Sequence, residues 1–121
     1  MSVAAWCELA ALGGVGAVLR FAIDGAVGGR LETSFPAGTL LVNASGTFAL
    51  GILTGTDVAG TTLFVVGTGL LGSFTTFSTW MFETLRLAED GEARLSVANL
   101  VISLLGGVAA GGAGWALGAL L

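Results

Sequence analysis

Long apolar stretches alternate with short polar segments along this chain, and the pattern predicts four membrane-spanning helices. Three stretches contain no ionisable side chain: residues 33–56, 58–82 and 95–121. Each is longer than the roughly 20 residues that cross the hydrocarbon core of a bilayer as a helix. A fourth stretch contains Glu8, Arg20 and Asp24, but its centre is apolar and rich in glycine. We interpret it as a spanning helix with a polar role.

The predicted fold is therefore an all-α integral membrane protein in a single domain, residues 1–121. The four helices are placed at about residues 4–27, 36–56, 61–87 and 95–121. A loop is expected at residues 28–30. Pro36 suits the first turn of the second helix, where its missing N–H leaves no bond unmade. The expected location is the cell membrane.

Composition supports a lipid-facing surface and argues against enzymatic chemistry. Charged residues make up 10% of the chain, whereas about 25% is usual in soluble domains. One cysteine and no histidine leave no His–Cys zinc site and no Ser–His or Cys–His pair. The formal net charge is −4, whereas binding of nucleic acid needs a basic face. We expect neither an enzyme nor a nucleic-acid-binding protein.

Glycine is abundant, with 21 residues, and small residues mark contacts between helices in lipid. Three GxxxG pairs occur: Gly51 with Gly55, Gly107 with Gly111, and Gly114 with Gly118. Four thin helices cannot enclose a wide aqueous lumen. A pore is more easily made between two copies, so an oligomer is expected.

Polar side chains form stripes on two of the predicted helices. Thr39, Asn43 and Thr47 recur every four residues on the second helix, and Asn99 and Ser103 do so on the fourth. Residues at this spacing share one helix face. Such a stripe either lines a narrow permeation path or forms hydrogen bonds between helices, and the spacing alone favours neither.

The third helix carries the most unusual pattern. Two glycines precede five hydroxyl residues: Ser73, Thr75, Thr76, Ser78 and Thr79. A break near residues 72–75 would expose backbone carbonyl groups, which hold ions in broken membrane helices. Phe77 and Trp80 share a face, and the edges of their rings are electropositive. These edges either help to replace the water around a small anion or simply pack in the bundle.

Two ionisable side chains of the spans are candidate vestibule residues. Charged groups inside a membrane are functional candidates by default. Arg20 either attracts anions or pairs with Asp24, four residues on, and Glu83 is expected to pair with Arg86.

Three segments together resemble the signatures of one family of membrane proteins. They are GGVGAVLRF in the first predicted helix, FPAGTLLVNASGTFALG in the second and GLLGSFTTFSTWMFE in the third. In order and spacing they are similar to the CrcB/Fluc fluoride channels. The resemblance covers nearly the whole chain, and the fourth helix contributes least.

The resemblance implies an antiparallel dimer with two fluoride pathways along the subunit interface. It also implies a structural sodium ion (Na+) at the dimer centre, held by carbonyl groups that correspond to Gly72 and Thr75 of a broken third helix. Arg20 and Glu83 correspond to the vestibule. The residues expected along the pathway are Asn43, Phe77, Trp80, Thr76, Thr79, Ser103, Asn99, Thr39 and Thr47.

Two positions depart from the family pattern. Trp80 stands where a second phenylalanine is usual, and Asn99 stands where the fourth helix usually has tyrosine. Both substitutions keep a hydrogen-bond donor.

The implied function is passive export of fluoride. Hydrogen fluoride crosses lipid as a neutral acid, releases fluoride inside the cell, and the inside-negative potential then expels the anion through a selective channel. One alternative is a drug–proton antiporter resembling the small multidrug resistance family. That family relies on a membrane-embedded glutamate in its first helix, whereas Glu8 lies near the helix end. Another alternative, a purely structural membrane subunit, does not explain the polar stripes.

The arginine residues predict an orientation. The two loops on one side carry Arg30, Arg86 and Arg94, with Arg20 nearer the membrane, and the other side has no Lys or Arg. The positive-inside rule then predicts a fixed topology with both termini outside. An antiparallel dimer would need a homologous partner of opposite bias. The competing interpretation is a homodimer whose chain inserts both ways.

Overall fold

A computed structural model of the chain describes residues 1–31 and 33–121, and this part of the chain is all-helical. Its helices are α1 (Val3–Arg30), α2 (Ala37–Gly55), α3 (Gly60–Leu63), α4 (Gly72–Phe74), α5 (Ser78–Glu89) and α6 (Ala93–Gly118). A π-helical segment, Phe64–Leu71, joins α3 to α4. Four spans are long and apolar enough to cross a membrane: α1, α2, the third span Gly60–Glu89, and α6. The predicted number of spans is confirmed.

Some helix ends differ from the prediction. The expected loop at residues 28–30 is wrong, because α1 continues through Gly28 and Gly29 and the Leu31 N–H donates to the Val27 carbonyl at 3.2 Å. A helical glycine weakens a helix by only about 1 kcal/mol, which is too little to end one of this length. Pro36 precedes α2, and its carbonyl accepts the Leu40 N–H at 3.2 Å.

The spans pack as two parallel pairs. In the first pair, α1 lies along the third span: Trp6 contacts Phe64, and Arg20 contacts Ser73 further along both elements. In the second pair, α2 lies along α6, with Thr47 near Gly111. Residue numbers increase together in both pairs. Gly38, in the first turn of α2, lies against Asp24 near the end of α1, so α1 and α2 run in opposite directions and consecutive spans alternate.

Glycines bring the α2 and α6 backbones into direct contact. A Cβ atom on Gly114 would overlap the carbonyl oxygen of Phe48, and one on Gly118 would overlap that of Ile52. Gly51 meets the α6 backbone in the same way. Close backbone approach of this kind drives helix association in lipid. Gly107, in contrast, would meet nothing within 4 Å, so only Gly111 of that GxxxG pair takes part in this contact.

The two connections that are flanked by arginine residues of the adjoining helices lie at the same end of the bundle. Residues 33–36, between α1 and α2, and Asp90 and Glu92, between α5 and α6, border one cavity. Gly91 turns the chain there with φ +80°, a left-handed conformation that glycine adopts without strain. Met1 and Gly60 border a different cavity, together with Trp6, where the N-terminus meets the turn before the third span.

The third span is not one regular α-helix. The π-helical segment is followed by a single turn, α4, and the Gly72 N–H bonds to the Gly67 carbonyl. Thr75 then has an extended backbone (φ −80°, ψ 160°), and helix resumes at Ser78. Stretches of π-helix are rare and occur frequently at functional sites. Arg20 of α1 and Asn43 of α2 form hydrogen bonds to the backbone of this irregular segment, and Ser103 of α6 borders the same cavity as Thr75 and Thr76.

Candidate functional site

Three cavities lie in series from one end of the bundle to its middle. The end cavity, about 490 Å³, is bordered by the 33–36 connection and the last turns of α5. The Arg20 cavity, about 150 Å³, shares Asp24 with the end cavity. The Phe77 groove, about 430 Å³, shares Thr76 with the Arg20 cavity. Asp24 and Thr76 therefore connect the bundle end to the irregular part of the third span.

The end cavity is acidic. Its charged lining residues are Asp24, Glu83, Asp90, Glu92 and Arg86. Glu83 accepts a hydrogen bond from the Thr39 hydroxyl through Oε1 at 2.9 Å, and its buried Oε2 has no partner among the residues that the structure describes. The expected pairing of Glu83 with Arg86 is replaced by this link to α2.

The Arg20 side chain ties α1 to the third span. Its Nε donates to the Ser73 carbonyl at 3.3 Å, whereas pairing with Asp24 is one of the two alternatives predicted from the sequence. Thr39 and Thr79 also line the Arg20 cavity. The Arg20 guanidinium therefore places a positive charge beside the irregular part of the third span, in a cavity that two threonine side chains also line.

Asn43 clamps the backbone of Thr76 from α2. The Thr76 N–H donates to Asn43 Oδ1 at 2.8 Å, and Asn43 Nδ2 donates to the Thr76 carbonyl at 2.8 Å. Both backbone groups would otherwise be unpaired where the helix is interrupted. An asparagine amide has two N–H donors, so one remains beyond this clamp, and Asn43 also lines the Phe77 groove.

The hydroxyl cluster of the third span caps its helical ends. Thr76 Oγ1 accepts the Thr79 N–H at 3.2 Å and so satisfies one free donor at the start of α5. The same hydroxyl donates to Thr79 Oγ1 at 3.1 Å. Thr75 Oγ1 donates to the Leu71 carbonyl at 3.0 Å. These local hydrogen bonds, which the residue pattern alone does not indicate, engage Thr75, Thr76 and Thr79.

The two aromatic rings meet edge to face beside this cluster. Phe77 and Trp80 have ring centroids 5.7 Å apart at an interplanar angle of 89°. Phe77 is 69% exposed, and both rings line the groove. The indole N–H of Trp80 is already engaged, because it donates to the Asn99 carbonyl of α6 at 3.0 Å.

Asn99 differs from its expected position along a pathway. It is 1% exposed, buried between α5 and α6. Its Nδ2 donates to Thr84 Oγ1 at 2.8 Å and to the Trp80 carbonyl at 3.4 Å, while its Oδ1 accepts from Ser103 Oγ at 3.2 Å. Ser96 extends this network by donating to the Thr84 carbonyl at 2.8 Å. Thr84 and Ser96 were not predicted as site residues, although Ser96, Asn99 and Ser103 recur at helical spacing.

The backbone carbonyls of Gly72 and Thr75 face the interruption without a helical partner. The next residue, Thr76, gives its N–H to Asn43, and the Thr79 N–H goes to a side chain. Within the described residues, no hydrogen bond ends on either carbonyl oxygen. Gly72 itself is exposed and Thr75 is half-buried.

The expected pathway residues thus fall into distinct places. Six line the Phe77 groove: Asn43, Thr47, Thr76, Phe77, Trp80 and Ser103. Two more, Thr39 and Thr79, line the Arg20 cavity. Only Asn99 borders neither space. Among the residues that the structure describes, none that lines the groove is charged, and the groove can offer hydroxyl, amide and ring-edge hydrogens to a ligand.

Comparison with known proteins identifies the family. Residues 8–115 match the model described as CrcB-like protein, Camphor Resistance (CrcB). The chain is 50% identical over 110 residues to the fluoride-specific ion channel FluC 2 of Mycolicibacterium paratuberculosis, covering 90% of each chain. It is 46% identical over 110 residues to the protein of that name from Mycobacterium tuberculosis, covering 91% of this chain and 87% of the relative. For the Haloarcula marismortui FluC 2 the identity is 45% over 105 residues, covering 87% and 86%. This chain therefore belongs to the CrcB family of multi-pass membrane proteins.

Proposed function

We propose that this chain is a subunit of a fluoride-selective channel that lets fluoride leave the cytoplasm passively. The observation that carries the proposal is the Phe77 groove, which combines an aromatic pair with hydroxyl and amide groups and has no charged side chain in its lining. Relatives of up to 50% identity carry the name fluoride-specific ion channel. A drug–proton antiporter is not favoured, because its embedded carboxylate is missing from the groove.

Fluoride must exchange its water for protein donors along such a groove. The remaining N–H of Asn43 and the hydroxyl of Thr47 supply ordinary hydrogen bonds, and both residues line the groove. The edge of the Phe77 ring adds a weakly positive surface. Conduction requires binding that is strong enough for entry yet weak enough for exit. Neutral donors meet that condition better than a fixed cation.

We propose that a second subunit in antiparallel orientation closes the groove. In a single copy of the chain, the Phe77 side chain is 69% exposed, although Phe77 lies near the middle of the third span. We also propose that the interruption of the third span is the broken helix of the family and that it binds a structural sodium ion. The carbonyl oxygens of Gly72 and Thr75 suit a hard cation, which prefers oxygen ligands, and neither accepts a backbone hydrogen bond within the described residues.

The function is tested by fluoride efflux from liposomes. Purified protein, together with a partner subunit if it has one, should release fluoride when valinomycin sets a membrane potential, and chloride should be retained. Selective efflux supports the proposal. Equal release of chloride would contradict it, and exchange of ethidium for protons would favour the drug antiporter instead.

We further propose that the subunit has a fixed topology, with both termini outside, and that it pairs with a homologous chain of opposite orientation. All four basic residues of the chain are arginines, and Arg30, Arg86 and Arg94 belong to the end of the bundle that carries the 33–36 connection. The positive-inside rule counts basic residues near helix ends and gives acidic ones little weight. Relatives carry the names FluC 1 and FluC 2, which fits paired homologues.

Cysteine labelling tests the topology. A single cysteine at the exposed Asp90, in the turn between α5 and α6, would be introduced into a Cys7→Ser background. In cells that express this chain alone, an impermeant reagent added outside should leave the cysteine unlabelled until the membrane is opened. Labelling of about half the molecules from each side would instead establish dual insertion and a homodimer.

A further inference from the structure

The hydroxyl group of Ser103 lines the Phe77 groove, yet its hydrogen is directed away from it. Ser103 Oγ lies 3.2 Å from Asn99 Oδ1, one helical turn back on α6. A hydroxyl has one hydrogen to donate, and an amide oxygen can only accept. In this arrangement Ser103 presents lone pairs, which repel an anion, to the groove.

The orientation of the Asn99 amide follows from its neighbours. The side chain faces the carbonyl oxygen of Trp80, which is an acceptor only, and the NH₂ group must therefore lie on that side. This group donates to Trp80 O at 3.4 Å and to Thr84 Oγ1 at 2.8 Å. The Thr84 hydroxyl hydrogen is itself used, because it donates to the Trp80 carbonyl at 2.8 Å. The oxygen of Asn99 is left facing Ser103.

We infer that Asn99 is a positioning residue that withholds the Ser103 hydroxyl hydrogen from the permeating ion. Asn99 is 1% exposed and does not touch the groove, so it acts through Ser103. An anion that reaches Ser103 gains this donor only when the hydroxyl turns and the bond to Asn99 breaks. The competition weakens anion binding at Ser103 and favours release. This inference rests on the proposed function.

The bond of the Trp80 indole is independent of the Asn99 side chain. It ends on the backbone carbonyl of residue 99, which every substitution there retains. Replacement of Asn99 by leucine removes the acceptor for Ser103. The substitution also removes the donor to the Trp80 carbonyl and to Thr84 Oγ1. The Trp80 carbonyl remains paired, because the Thr84 hydroxyl still donates to it. The change therefore frees the Ser103 hydroxyl selectively.

The test measures fluoride efflux from liposomes across a range of fluoride concentrations. Asn99→Leu should lower the half-saturating concentration about two- to tenfold, which corresponds to the net value of one hydrogen bond. The same substitution in a Ser103→Ala background should produce no shift. Ser96→Ala is the matched control: it breaks a bond of the same buried network to the Thr84 carbonyl but does not touch Ser103, and it should leave the half-saturating concentration unchanged.

Two results would overturn the inference while leaving the proposed function intact. One is an Asn99→Leu protein that elutes as the wild type does and has the wild-type half-saturating fluoride concentration. The other is a lowered half-saturating concentration that persists when Asn99→Leu is combined with Ser103→Ala. Asn99→Ala, which adds no bulk, is the second variant if leucine prevents folding. Ser103→Ala alone gives a further check. If Ser103 donated permanently to the anion, its loss would raise the half-saturating fluoride concentration about tenfold or more. An increase of that size would contradict the inference that the hydroxyl hydrogen is withheld. A wild-type protein that carries no fluoride would contradict the proposed function itself, and this inference with it.

Discussion

Replacement of Asn43 by aspartate is expected to reduce fluoride flux by about a thousandfold. A carboxylate at this position would meet a passing anion at about 4 Å, where like charges repel by about 4 kcal/mol at an effective dielectric constant of 20. Each 1.4 kcal/mol or so is a factor of ten. The same change removes the amide donor to the Thr76 carbonyl. Fluoride efflux from liposomes, with elution volume as the check on folding, measures the effect.

Replacement of Asn43 by leucine separates the effect of the added negative charge from the effect of the lost hydrogen bonds to Thr76. Leucine removes both hydrogen bonds to the Thr76 backbone without adding a charge. We expect a smaller loss of flux from leucine than from aspartate. If the aspartate protein elutes normally and conducts like the wild type, Asn43 does not face the ion, and its role is limited to the clamp.

A Gly114→Val substitution is expected to prevent the packing of α2 on α6. Even a Cβ atom would overlap the Phe48 carbonyl oxygen and approach the Ile52 nitrogen to 3.1 Å. Both neighbours are backbone atoms, so no side chain can turn aside and the helices must separate. Overpacking costs roughly 1–3 kcal/mol where side chains can adjust, and we expect the upper end of that range or more. The measurement is thermal unfolding of the purified protein in detergent.

Gly112→Val is the matched control for this substitution. Gly112 lies two residues away on α6, and a Cβ there would meet nothing within 4 Å. Valine at 112 should leave the unfolding temperature close to that of the wild type. Similar losses at both positions would mean that valine disturbs the helix itself, and that the contact with Phe48 is not the cause.

The spans could be predicted from the sequence because hydropathy is a property of the chain alone. A helix in lipid must satisfy its own backbone, so a long apolar run has few alternatives. The i, i+4 spacing likewise brought Asn43 and Thr47 to one groove, since positions on one helix face stay together in any packing. In both cases the residue pattern along a single helix was sufficient for the prediction.

Properties that depend on two elements could not be predicted in this way. The partner of Asn43 is the backbone of Thr76, 33 residues away, and no local pattern indicates it. Asn99 and Ser103 share a helix face, but only the neighbouring α5 decides that Asn99 is buried and Ser103 borders the groove. The π-helical segment depends on hydrogen-bond register, which composition does not specify.

The clamp between Asn43 and Thr76 also has a consequence for biogenesis. An unpaired backbone N–H or carbonyl in lipid costs several kcal/mol, and both groups of Thr76 are paired by a side chain of another span. A third span that entered the bilayer alone would lack that partner and would lower its energy by closing into a continuous helix. Membrane proteins first insert their helices and then assemble them. We therefore expect the insertion machinery to handle an uninterrupted segment, and the irregular backbone at Thr75 to Phe77 to form when α2 docks.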